Sequence, residues 1–174
     1  DWLPLPDKFV WPEPTKVVPK FESKYETAQQ LSEQLKKAIR GHWPENKLPE
    51  KLEIARVDLN NDGSPEVFVG IPAYSGSGGT YYSILTESGQ DFREIGSLLG
   101  FNVRFHSSAD GWPAIEGRSN AGGGHHTRYL LEFRDGRYSF SRIENHDLVK
   151  KKVTISKTGN AQQDAAPKSD PRGG

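Results

Sequence analysis

The stretch from Ile54 to Ile71, IARVDLNNDGSPEVFVGI, constrains the fold more than any other part of this chain. Two β-rich runs flank an acidic connection rich in Asn and Gly, so the backbone must reverse between them. Oxygen-bearing side chains fall at every second position, Asp58, Asn60, Asp62 and Ser64, with a carboxylate at Glu66. A hard cation such as Ca2+ takes six to eight oxygens at about 2.3–2.6 Å, and a tight loop with alternate inward residues can supply them. Gly63 follows the third oxygen position, where the chain turns sharply and a Cβ would be in the way. The same residues also suit an ordinary hairpin turn, in which Asp and Asn oxygens take backbone N–H groups instead of a metal. Both readings stay open. A true cation site here is expected to brace the hairpin rather than to catalyse.

DLNNDGSPE resembles the D-x-[DN]-x-D-G-x-x-[DE] calcium loops of FG-GAP/VCBS-type repeats and dockerin-like modules. The resemblance implies one Ca2+ held by Asp58, Asn60 and Asp62, by an oxygen of Ser64 and by Glu66. In propeller proteins the motif recurs, whereas here it occurs once. The wider span Ile54–Ile143 is similar to small exported bacterial proteins of unknown function. They run DLNGDGxPE, a strand, a Ser/Gly-rich loop, a Gly-Trp turn and an FDGxxY-like hairpin. The counterparts here are Ser75–Gly79, Gly111-Trp112 and Arg134–Tyr138. Some of those proteins carry Cys beside the Ser/Gly loop, where this chain has Ser and Thr. This wider similarity implies a secreted or periplasmic location and brings no activity with it.

A second motif lies in Ser77-Gly78-Gly79-Thr80-Tyr81. It is similar to the S-G-x-x-Y loop of bacterial periplasmic lysozyme inhibitors, and the resemblance implies a binding loop of Ser77, Gly78 and Tyr81 whose Ser77 and Tyr81 would enter an enzyme's cleft. Read from the residues alone, the glycines make a flexible hairpin connection. They do not make a phosphate-binding P-loop, because no Gly-Lys-[Ser/Thr] follows and no helix opens after them.

Composition narrows the classes. A chain of 174 residues fits one domain, and 18 Gly with 12 Pro give loops and tails a large share of it. Lys+Arg and Asp+Glu balance at 23 each, which argues against nucleic acid and against anionic membrane as partners. No run approaches the roughly 18 apolar residues of a membrane span. Without Cys, disulfides, thiolate zinc sites and cysteine nucleophiles are excluded. With no Met at any position, the chain is expected to begin at a processed end or an expression boundary.

Taken in order, residues 1–22 form an extended Pro-rich arm. Five of the 12 prolines fall within residues 1–20, which excludes a helix or a central strand. Trp2, Leu3, Leu5, Phe9, Val10 and Trp11 are too apolar for a plain linker, so the arm is expected to lie across the domain or to dock on another protein. Ser23 and Glu26 match a capping box, and Ala28, Leu31, Leu35, Ala38 and Ile39 share one stripe. The pattern predicts one amphipathic helix over 24–40, stopped by Gly41, with Trp43 over an edge of the core. Leu52, Ile54, Val57 and Leu59 change face between 54 and 57, which predicts a bulge. Strands are expected at 66–71, 80–86, 92–99, 102–106, 112–116, 128–133, 138–143 and 148–155. Their short spacings favour antiparallel connections. Residues 156–174 have little to bury and are expected to be disordered.

The remaining constellations carry little chemistry. His125 and His126 are adjacent, so on a strand they face opposite ways and do not readily share one ion. No nucleophile elbow appears, and nothing marks Glu66, Glu116 or Glu132 as a working carboxylate pair. The expectation is an α+β domain over 23–155, one N-terminal amphipathic helix packed on a multi-stranded, mainly antiparallel sheet. It reads as a monomeric, exported, non-catalytic binding module for a protein or glycan partner, with a structural Ca2+ loop. An inhibitor of a cell-wall-cleaving enzyme is the alternative, and a hydrolase comes third.

Overall fold

The computed structural model describes residues 2–13, 19–41, 48–108 and 111–157, and at 71–74 the backbone alone. Among the described residues, nine strands run in order: β1 (Ser23–Thr27), β2 (Lys51–Val57), β3 (Glu66–Gly76), β4 (Gly79–Ser88), β5 (Asp91–His106), β6 (Ala114–Gly122), β7 (His125–Arg134), β8 (Arg137–Asp147) and β9 (Lys152–Lys157). Each pairs antiparallel with the next, so a single sheet follows chain order from β1 to β9. Tight turns make this order possible. Asp135 (φ 52°) and Gly136 (φ 79°) take the left-handed angles of a two-residue hairpin whose twist matches its strands. The expected antiparallel sheet is there, and it dominates the described residues. One α-helix accompanies it, α1 (Glu33–Gly41).

The helix is shorter than its apolar stripe suggests. Ser23 and Glu26 do not cap it; they lie in β1, paired with Ala55 and Leu52 of β2. The strand gives these residues backbone partners, and Glu26 gains two bonds from the Arg56 guanidinium at 2.6 and 3.0 Å. A local capping signal cannot compete with a bidentate ion pair and a full ladder. The helix starts instead at Ser32, whose hydroxyl accepts the Leu35 N–H at 3.2 Å. Leu31, Leu35 and Ile39 are nonetheless all buried, in one cluster with Leu52, Ile54, Val67, Val69 and Leu85. Trp43 lies outside the described residues.

β2 is buried on both faces, which corrects the expected bulge. Its register against β3 runs unbroken from Glu53–Gly70 to Val57–Glu66. Leu52 and Ile54 face the helix cluster, while Ala55 and Val57 face a second, inner core. The change of face between 54 and 57 therefore records two cores rather than an inserted residue. Similarly, the two strands expected at 92–99 and 102–106 are one strand, β5. Asn102 (φ 51°) bends it where the register to β6 shifts.

These shifts, with others in β4–β5, β6–β7 and β7–β8, curl the sheet until β8 lies across β5. At that crossing a Cβ on Gly96 would come within 2.7 Å of Tyr138 Cβ, so only glycine allows the approach. Phe68, Tyr82, Ile84, Ile95, Leu98, Ile115, Leu131 and Tyr138 fill the space between the two halves. Phe21 joins them, with its ring 5.2 Å from Phe68 and 5.4 Å from Tyr82, so the end of the arm is part of the core. β9 reaches Lys157, two residues past the expected edge of the domain. It does not begin at Leu148, because Leu148–Lys151 form a turn. The rest of the expected tail lies outside the described residues.

Candidate functional site

The loop between β2 and β3 is organised by its own acidic side chains. Asp58 accepts the N–H of Asp62 at 3.2 Å and of Gly63 at 3.0 Å, and Asn60 Oδ1 accepts Asp62 N–H at 3.1 Å. Asp62 accepts the Ser64 N–H at 2.7 Å and the Asn60 amide at 2.8 Å. Gly63 stands at φ 88°, the angle that the sharp turn requires of it. Asp58, Asn60, Asp62 and Ser64 are thus gathered at one exposed turn. Glu66 faces the other way, into the hairpin, where it is 1 % exposed. There Leu59 N–H and the Thr86 hydroxyl each donate to it at 3.0 Å. Burial pushes its carboxyl above the usual range, against the pull of those bonds. Among the described residues, no three of His, Asp or Glu stand together as a metal-holding group.

The Ser/Gly segment is a tight hairpin. Ser77 and Gly78 form the two-residue tip between paired Gly76 and Gly79. Ser77 is exposed, while Gly78 rests on β6, where an added Cβ would stand 3.1 Å from Ser119 Oγ. Tyr81 is half-buried in β4, opposite Ile71 and Leu99. On the opposite face of β4 from Tyr81, Glu53 of β2 accepts the hydroxyls of Thr80 at 3.0 Å and Tyr82 at 2.6 Å, and also that of Ser23. Burial alone would raise the Glu53 carboxyl; the three hydroxyls outweigh it and hold the group below its ordinary range.

The densest polar assembly lies elsewhere, on the outer face of β6–β8. Pairing aligns Arg118, Arg128 and Glu144 in one cross-strand row and Glu116, Leu130 and Arg142 in the next. A third row holds Asn120, His126 and His146. Glu144, 0 % exposed, accepts Arg128 Nε and Arg142 Nε at 2.8 Å each, and His146 Nε2 at 3.2 Å. Glu116 accepts Arg118 Nε at 2.9 Å and His106 Nε2 at 2.8 Å. Burial works against its charge, but His106 and Arg118 prevail and hold its carboxyl low.

The Pro-rich arm covers this face. The Asp7 carboxylate takes both terminal nitrogens of Arg142 at 2.8 Å, and the guanidinium holds its carboxyl down to about 2. Phe9 stacks 4.0 Å from the Arg142 guanidinium, and Trp11 4.8 Å from that of Arg128. The Trp2 ring centroid lies 5.3 Å from the guanidinium carbons of both Arg118 and Arg128 and 4.8 Å from the ring centroid of His146, the two rings perpendicular. The arm therefore lies on the domain, as its composition suggests, and it seals three arginines and two glutamates beneath aromatic rings. No family model matches the chain, and no curated protein or solved structure does.

Chemically, the covered face is a grip for charge and rings. Its guanidiniums offer planar forks to carboxylates and flat faces to indoles. His146 is the exception in this set. Burial lowers its pKa although Glu144 pulls it up, so the ring is neutral; with Nε2–H turned to Glu144, Nδ1 keeps a free lone pair. That atom is buried and has no hydrogen-bond partner. His126 is half-buried beside Trp2 at 5.4 Å, while His125 is exposed, so the two do not converge. Glu132 pairs with Arg134 at the surface, apart from Glu66 and Glu116. Sequence reading passed over this face. The available signal was charge at every second position, Glu116-x-Arg118, His126-x-Arg128 and Arg142-x-Glu144-x-His146, each set on one side of its strand.

Proposed function

We propose that this chain is an exported, non-catalytic binding module, a monomeric α+β domain with its helix packed on the sheet, whose first hairpin takes Ca2+ and whose partner is a protein or glycan. The observation that carries the calcium reading is that Asp58, Asn60, Asp62 and Ser64 are gathered at one exposed turn. Their oxygens now take the N–H groups at 62, 63 and 64, as a metal-free turn also would, so the spacing of the oxygens supports the cation and these bonds do not. Asp58, Asn60, Asp62 and Ser64 would supply oxygens directly. Glu66 would join them by turning out of the hairpin. An affinity of the extracellular type, about 10⁻⁴–10⁻³ M, leaves such a site mostly empty in a cytosol and well occupied outside the cell, which supports export.

The non-catalytic reading is supported by the covered face, where Glu116 and Glu144 are already bonded to arginines and capped by the arm. Thermal melts test the calcium reading. Millimolar Ca2+ should raise the melting temperature, chelator should reverse the rise, and Asp62→Ala should remove it. Equal curves with chelator and with several millimolar Ca2+ would leave DLNNDGSPE a turn and nothing more. The exposed Ser77 at the hairpin tip favours a second reading, inhibition of a cell-wall-cleaving enzyme. Undiminished activity of several lysozyme types in the presence of the protein would dismiss that reading for those enzymes.

A further inference from the structure

We propose that the covered face of β6–β8 is a peptide-recognition site for an extended, proline-spaced segment that carries one carboxylate among aromatic rings. Residues 2–13 fill it in cis, and a second segment of the same chemistry takes it in trans. This deepens the reading of the chain as a binding module and does not depend on calcium.

The manner of attachment is the first ground. Rings and a carboxylate anchor the arm along its length, whereas its backbone bonds come at its far end. Pro12 O lies 3.0 Å from His106 Nδ1, and Glu13 O accepts Ser107 N–H at 3.1 Å. Proline has already fixed much of the backbone of such a segment, so side chains set into pockets can hold it at little entropic cost.

Charge is the second. The body places three arginines against two glutamates on this face, and Asp7 supplies the missing negative charge through two 2.8 Å bonds to Arg142. Any occupant must therefore bring a carboxylate to the Arg142 fork, because a buried guanidinium left short of a partner is costly.

The third is that the arm fits imperfectly. His146 is 1 % exposed and its Nδ1 has no partner, although the Trp2 ring stands perpendicular to it with the ring centroids 4.8 Å apart. The arm's own Trp11 Nε1 is likewise buried without a partner. Buried polar atoms without partners oppose the closed state. A competing segment with an N–H or O–H donor where Trp2 lies would satisfy His146 and displace the arm. The resident segment is thus a usable but improvable ligand, as a displaceable one must be.

The probe is a fluorescein-labelled synthetic peptide of residues 2–13, titrated in chelator and followed by anisotropy. Against the full chain carrying Trp2→Ala and Asp7→Ala, it should bind at least about 10-fold more tightly than against the unchanged chain, whose arm competes at high effective concentration. A peptide carrying Asp7→Asn should lose about 10-fold, the size expected of a charge-assisted fork. A flat titration on a doubly substituted chain that is folded by circular dichroism overturns the proposal, and so does equal binding of a scrambled peptide. If that chain does not fold, the unchanged chain cut at a protease site placed within residues 14–18 decides. The labelled peptide must exchange into the cut chain, and failure to exchange overturns the proposal. Because chelator is present throughout, a flat titration leaves the calcium melts standing, and silent melts leave a rising titration standing.

Discussion

The β2–β3 loop and the arm-covered face both gather charged side chains, but by opposite means. In the loop the partners are two to five residues apart, as from Asp58 to Asp62 and Gly63, and the cluster is exposed. On the covered face, Asp7 and Arg142 stand 135 residues apart, and the central Glu144 is fully buried. The loop is held by main-chain donors that any folded hairpin brings with it. The face needs three strands in register and an arm laid over them. A cluster built from local bonds survives the loss of one member, since water replaces what is lost. A buried cluster does not, because each charge was desolvated on account of its partner.

The largest expected effect tests that difference. Glu144→Ala removes the acceptor shared by Arg128, Arg142 and His146 and should cost about 3–5 kcal/mol in urea melts. A loss near that of an exposed ion pair, below about 1 kcal/mol, would mean that the face is wetter than its burial indicates. Leu35→Ala lies in neither region and sets the scale of an apolar contact. At 3 % exposure it should cost roughly 2–5 kcal/mol, and a loss under about half a kcal/mol would undo the packing of α1.

The loop should respond far less. At millimolar Ca2+ and an affinity of about 10⁻⁴–10⁻³ M, mass action gives a gain of only about 0.4–1.4 kcal/mol, provided that the unfolded chain does not bind. Glu66→Gln should shrink this gain, since Glu66 supplies a ligand in that reading. An undiminished gain would confine the ions to the exposed oxygens.

Acid separates the regions most finely, because their carboxyls are shifted in opposite directions. Asp7 is depressed from 3.8 to about 2, so its contribution is complete above pH 3.8 and is lost as the pH falls through about 2. Glu66 is raised by burial, so its charged form opposes folding and protonation relieves the strain as the pH falls. Tryptophan emission from the arm should shift to the red between pH 4 and 2 in the unchanged chain. Asp7→Asn, which has no carboxyl to titrate at that position, should lack this shift. An identical pH response in the two proteins would show that another group holds the arm.

Much of the sheet was legible from alternation and turn residues, as at Asp135-Gly136, where the local angles leave a hairpin little choice. The β2–β3 loop was legible for the same reason, its oxygens and glycine being consecutive in the chain. The start of the helix was misread because Ser23 and Glu26 carry a genuine capping pattern that pairing with β2 overrides. The segments 92–99 and 102–106 were expected as two strands, whereas β5 is one continuous strand that bends at Asn102, where the register to β6 shifts.

Sequence alone determined that residues 2–13 could be neither helix nor inner strand, that the rings at 2, 9 and 11 needed a surface, and that an acidic turn joins two strands. Proline and glycine act on their own backbone, and alternation is a property of one strand, so none of this requires knowing what lies nearby. Only the tertiary structure decided where the arm lies and what it covers. A guanidinium and a carboxylate far apart in sequence carry no mark of each other. Arg118, Arg128 and Arg142 come beneath Trp2, Phe9 and Trp11 through the pairing of β6, β7 and β8 and the lie of the arm, and no local pattern encodes either.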